Sequence, residues 1–81
     1  EGSGWVKSPQ TVCFEILSEA RRLSRDSEDV RQTTLRAHPD VIQALRSTER
    51  AVLDEIEAYL GNIDLTADTT IHQAQFDFAL V

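Results

Sequence analysis

His38 to Gly61, HPDVIQALRSTERAVLDEIEAYLG, is the stretch whose reading decides the fold. A residue that precedes proline is pushed out of the helical region, and proline itself fits the first position of a helix, so His38-Pro39 marks a helix start. Val41, Ile42, Leu45, Val52, Leu53, Ile56 and Leu60 then recur at helical spacing down to Gly61, a residue suited to a left-handed stop. Ser47-Thr48-Glu49 interrupts this stripe with residues that prefer caps to helix interiors. The spacing therefore predicts two helices, about residues 39 to 46 and 48 to 60, joined at a bend.

Upstream, Ser8-Pro9 repeats the same grammar, with a Ser oxygen placed to accept from first-turn amides. Val12, Ile16, Leu17, Ala20 and Leu23 form an apolar stripe with Cys13 on its flank, and Arg21, Arg22 and Arg25 lie toward the negative end of the dipole, which predicts a helix over residues 9 to 25. Trp5-Val6-Lys7 reads as an extended lead-in or short strand, and Asp26-Ser27-Glu28-Asp29 as a solvated connection. Val30 to Ala37 alternates Thr33, Leu35 and Ala37 against Gln32, Thr34 and Arg36, the pattern of a strand. After Gly61 the period again becomes two: Ile63, Leu65 and Ala67 face one way, Asp64, Thr66 and Asp68 the other. Phe76, Phe78 and Leu80 alternate in a last strand, and the two final strands are expected to pair as an antiparallel hairpin around Ile71-His72-Gln73. The expected class is α+β: a small mixed sheet of three to four strands with two to three helices packed on one face, in the order β-α-β-α-α-β-β, forming a single domain over residues 1–81.

Composition limits function. The 81 residues are 41% hydrophobic and 27% charged, ordinary for a globular domain. Eight Lys and Arg against fourteen Asp and Glu give a net charge of -6, which on average repels the phosphate backbone of nucleic acid. No apolar run approaches the roughly 20 residues that span a bilayer, and no basic-then-apolar signal opens the chain, so a soluble cytoplasmic domain is expected. The single Cys13 allows no internal disulfide, in keeping with a reducing compartment. The opening Glu1-Gly2-Ser3-Gly4 reads either as the edge of a piece of a longer protein or as a tag remnant.

No residue presents a catalytic or metal-binding constellation. His38 stands where a cap or surface residue is needed, and His72 falls in a solvated loop. Cys13 is better read as a small buried hydrophobe than as a nucleophile, although first-turn positions can lower a thiol pKa. Glu15 with Glu19, and Asp54 with Glu55 and Glu57, fit the wet faces of amphipathic helices. Asp64, Asp68 and Asp77 could meet across adjacent strands to hold a hard cation, against the simpler reading that they point to solvent. The expected site inventory is therefore catalytic none, cofactor-binding none and metal none.

The segment from Gly2 to Ile16, GSGWVKSPQTVCFEI, strongly resembles the segment that follows the zinc-link in bacterial ribonuclease E/G family endoribonucleases. Gln75 to Val81, QFDFALV, is similar to the family's closing Gln-Tyr/Phe-Asp-hydrophobic run, and Leu60-Gly61-Asn62-Ile63 to its turn after the last helix. The resemblance implies that this is the C-terminal small domain. In the family a Cys-Pro-x-Cys pair ends just before the position of Glu1 and shares zinc between protomers, while the magnesium-binding aspartates, the S1 RNA-binding domain and the 5′-end sensor lie further upstream. None of those residues maps onto this sequence.

By resemblance, then, the expected role is a non-catalytic assembly and oligomerisation domain. Its parent would cleave single-stranded RNA in RNA processing and decay, with magnesium for chemistry and zinc for dimerisation, and would meet RNA through its upstream domains. A small RNA-binding or adaptor module is the alternative, disfavoured by the missing Gly-x-x-Gly clamp and the acidic charge. Ala79 and Val81 give the last strand an apolar reverse side, so the terminal hairpin's reverse face or free edge is the expected protomer contact.

Overall fold

The computed structural model describes residues 8–26 and 32–80, and its elements follow in the order α1 (Pro9–Asp26), β1 (Thr33–Ala37), α2 (Pro39–Arg46), α3 (Arg50–Leu60), β2 (Ile63–Ala67) and β3 (Phe76–Leu80). This is an α+β domain with three helices and a three-stranded mixed sheet. The lead-in at Trp5-Val6-Lys7, and with it a leading strand, lies outside the described residues, as does most of the connection after α1.

The helix boundaries follow local chemistry. Ser8 Oγ accepts from Thr11 N–H at 3.1 Å, satisfying one of the donors that a helix start leaves unpaired. His38 caps α2 in the same way, its Nδ1 accepting from Asp40 N–H at 3.2 Å, with Pro39 opening the helix. The α2 helix ends where Ser47 Oγ donates to the Gln43 carbonyl at 2.8 Å and Glu49 N–H to that of Ala44 at 2.7 Å. Gly61 closes α3 at φ 79°, a backbone region that favours glycine, with its N–H on the Glu57 carbonyl at 2.7 Å.

The sheet order is β2-β1-β3, with β1 parallel to β2 and antiparallel to β3. The two final strands therefore flank β1 and do not form the expected hairpin. Adjacent strands usually pair, but residues 68–75 form a connection long enough to carry the chain across the end of β1. Asp68 N–H first extends the β2 ladder by donating to the Ala37 carbonyl at 2.9 Å. The connection then turns on itself: Asp68 Oδ1 accepts from Thr70 N–H at 2.8 Å, and His72 Nδ1 accepts from Ala74 N–H at 3.1 Å.

Register aligns Thr33, Leu35 and Ala37 with Ile63, Leu65 and Ala67 on one side and with Leu80, Phe78 and Phe76 on the other. That common face meets the helices in a single core built on Val12, Ile16, Leu35, Leu45, Ile56 and Leu60. Phe76 and Phe78 pack edge to face at its margin, with centroids 6.1 Å apart. Thr33 is fully buried on the same face, and its hydroxyl has no hydrogen-bond partner.

Candidate functional site

Two outer faces remain once the core is filled. The first is the reverse of the sheet, where β1 and its partners present Thr34, Arg36, Asp64, Thr66, Asp77 and Ala79. Arg36 stands directly opposite Asp77 in the β1–β3 register, and its guanidinium pairs with that carboxylate and with Asp68 at 3.6 Å. The hydrogen bond and charge of Asp77, with a smaller contribution from Asp68, raise the Arg36 pKa above its ordinary value. Asp68 is held below the usual carboxylate range, first by the Thr70 hydroxyl and N–H and then by Arg36. Thr34, Thr66 and Ala79 take part in a shallow depression of about 370 Å³ beside this network.

The second face is on the helices. Arg21 of α1 lies over the Tyr59 ring of α3, 5.8 Å from its centroid, and 3.9 Å from the Glu55 carboxylate. Among the described residues, Phe14 and Tyr59 are the large hydrophobic side chains left exposed, at 50% and 42%.

The candidate residues from the sequence fall into place around these faces. Cys13 is fully buried, and its thiol is pushed up to about 11, by burial first and the nearby Glu49 charge second. A nucleophile needs the opposite shift. His38 and His72 serve as acceptors for backbone N–H groups within their own turns. Glu19 bonds Arg22 and Asp54 bonds Arg50, as on ordinary solvated helix faces. Asp64 accepts from Gln32 Nε2 at 2.8 Å. Because β1 separates β2 from β3, Asp64 and Asp77 do not lie on adjacent strands, and Asp68 and Asp77 converge on a guanidinium. No group of three or more His, Cys, Asp or Glu that could hold a metal ion occurs among the described residues.

Sequence reading missed Arg36 as the pivot of the sheet face, since its pairing with Asp77 depends on β3 lying beside β1. The exposed Phe14 could have been found. It sits two residues from Val12, about 200° around the helix and so opposite the buried stripe.

No protein-family model matches the chain. It is 32% identical over 81 residues, 99% of its length, to Ribonuclease G of Salmonella typhimurium (strain SL1344). The same identity and coverage hold for Ribonuclease G of Escherichia coli (strain K12) and of Shigella flexneri. The chain is thus similar in sequence, from end to end, to a small part of Ribonuclease G. It spans 16% of the length of these curated relatives. Among the described residues, no helix is long and apolar enough to cross a membrane.

Proposed function

We propose that this chain is the C-terminal small domain of a ribonuclease E/G-like endoribonuclease, and that it acts as a non-catalytic assembly element holding protomers of the parent together in the cytoplasm. The observation that carries the reading is the end-to-end likeness to Ribonuclease G over 99% of this chain. The parent would cleave single-stranded RNA, using residues outside this segment.

Neither ion expected of such a parent fits the described residues. Zinc-link chemistry needs paired thiolates, whereas the sole cysteine is buried and holds its proton up to about pH 11. Magnesium needs convergent free carboxylates, whereas Asp68 and Asp77 are drawn to Arg36. No catalytic step is assigned to these residues.

The test combines sedimentation equilibrium with metal analysis, titration of labelled single-stranded RNA at low salt, and a magnesium-supplemented cleavage assay. The expected result is reversible self-association without cleavage, without tight RNA binding and without stoichiometric zinc. Cleavage that survives rigorous purification would overturn the non-catalytic role. Salt-sensitive RNA binding by a monomer would replace the assembly reading with an RNA-binding module.

A further inference from the structure

The helical face carries two exposed aromatic rings among its charged pairs. The α1 and α3 helices lie side by side and run in the same direction. Near their starts the Glu49 charge reaches Cys13, and near their ends Arg21 reaches both Glu55 and Tyr59. The outward stripe of α1 is Phe14, Ser18, Arg21 and Arg25, all exposed and separated by steps of four, three and four residues. On α3, Ala51, Glu55, Ala58 and Tyr59 are exposed. The Arg21 contacts join the two stripes into one face. Its charge leans one way on each helix: Arg21 and Arg25 on the α1 side and Glu55 on the α3 side, where Asp54 is already paired with Arg50 of its own helix, with two alanines and two aromatic rings on the same face.

We propose that this face receives the same face of a second copy of the chain, with α1 of each copy lying over α3 of the other. The proposal rests on the assembly reading above and names its surface. A twofold axis in the contact plane, parallel to the helices, exchanges left and right while preserving helix direction. It therefore lays the Arg21 side of each α1 on the Glu55 side of the partner's α3, twice per dimer. The other in-plane axis, across the helices, sets α1 on α1 and opposes like charges. Phe14 and Tyr59 supply the aromatic anchors on which interface energy concentrates. The Arg21 side chain is 49% exposed and that of Glu55 57%, so both retain hydrogen-bonding capacity for a partner. Two rings and two small residues per copy cover less than the roughly 800 Å² per partner of a standard interface, so the contact is weak and salt-sensitive.

Sedimentation equilibrium of the wild-type chain over a wide concentration range tests this, beside Phe14→Ser, Tyr59→Ser, Arg21→Glu and Glu55→Arg, each checked for fold by circular dichroism. Loss of either ring should weaken association about tenfold, one hot-spot increment of roughly 1.4 kcal/mol. Each charge reversal alone should weaken it. An equimolar mixture of the Arg21→Glu and Glu55→Arg chains should regain wild-type association, because both cross-copy contacts then join opposite charges. Thr66→Glu, on the sheet's reverse face, should leave association unchanged. A wild-type chain that associates but ignores the helical substitutions, or a mixture no stronger than its components, overturns this face and leaves the assembly reading standing. A wild-type chain that stays monomeric at the highest concentration overturns both. Association that requires added single-stranded RNA overturns the proposal in favour of a nucleic-acid surface.

Discussion

The outer faces of the sheet and of the α1–α3 pair are both open to solvent, yet they differ in what remains unmatched. On the sheet, Arg36 is satisfied from within by Asp77 and Asp68, Asp64 is engaged by Gln32, and the intervening Thr34, Thr66 and Ala79 are small. On the helices, Arg21 pairs with Glu55 and Arg50 with Asp54, but two large rings stay exposed. A half-solvated sheet needs no partner, since one wet face is the normal state of such a layer. Two exposed large rings are the feature that the sheet face lacks among the described residues. The comparison redirects the expectation drawn from Ala79 and Val81: Ala79 sits beside a self-neutralised network, and Val81 lies outside the described residues.

The most disruptive way to break the comparison is to remove the core that supports both faces. Leu35 is fully buried at the centre of β1, so Leu35→Ala should cost about 2–5 kcal/mol in urea unfolding. A loss under about 1 kcal/mol would show that the site collapses freely and that the two layers are not tied through β1. Cys13 probes the helical layer alone. Its native thiol holds a proton more tightly than the unfolded thiol, so the stability it contributes is intact below pH 9.0 and lost as pH rises through about 11. At about 1.4 kcal/mol per unit, the difference from Cys13→Val should change by on the order of 2–3 kcal/mol over that window. Parallel stability curves for the two proteins across the window would refute the burial of the thiol.

Much of the helical layer was legible in the sequence because its signals are local. Ser8-Pro9 and His38-Pro39 specify helix starts within four residues, and the Val12 and Val41 stripes specify which faces turn inward. The strands were legible one at a time, down to the common face of Thr33, Leu35 and Ala37, which the fold turns inward. Their neighbours were not. A period of two fixes which face a side chain occupies but carries no information about which strand lies beside it, and hydrogen bonding across strands is between backbones that all look alike. The pairing of Arg36 with Asp77 was hidden for the same reason, since it exists only in the register that places β3 against β1. The exposed aromatic face needed two facts at once: the opposite side of α1, which spacing gives, and its proximity to α3, which only packing gives.

Ser8→Ala offers a smaller and more local perturbation, confined to the entry of the helix that carries Phe14. Ser8 Oγ accepts from Thr11 N–H, and losing an N-cap oxygen typically costs about 1 kcal/mol. Thermal melts should move down by that amount, while Ser8→Asp, which keeps an acceptor beside the positive end of the helix dipole, should largely retain the wild-type value. Equal losses in both variants would mean that the Ser8 oxygen does not cap α1.

The smallest effect is expected at Arg36, and its smallness is what sharpens the contrast. Exposed ion pairs contribute little because water already solvates both partners and salt screens their attraction. Arg36→Gln should therefore leave the melting midpoint at neutral pH within the scatter of the measurement and chiefly reduce its dependence on salt. The carboxylates report the same hierarchy. Thr70 is the larger cause of the depressed Asp68 pKa and Arg36 a lesser one, so an NMR titration should show Thr70→Val raising it more than Arg36→Gln does. Because the native value lies below the ordinary 3.8, the stability linked to Asp68 is present above that pH and lost as pH falls through the lower native value. A large stability loss in Arg36→Gln at neutral pH would contradict a solvated, self-neutralised sheet face. Loss of association in the same variant would move the protomer contact from the helices to the sheet.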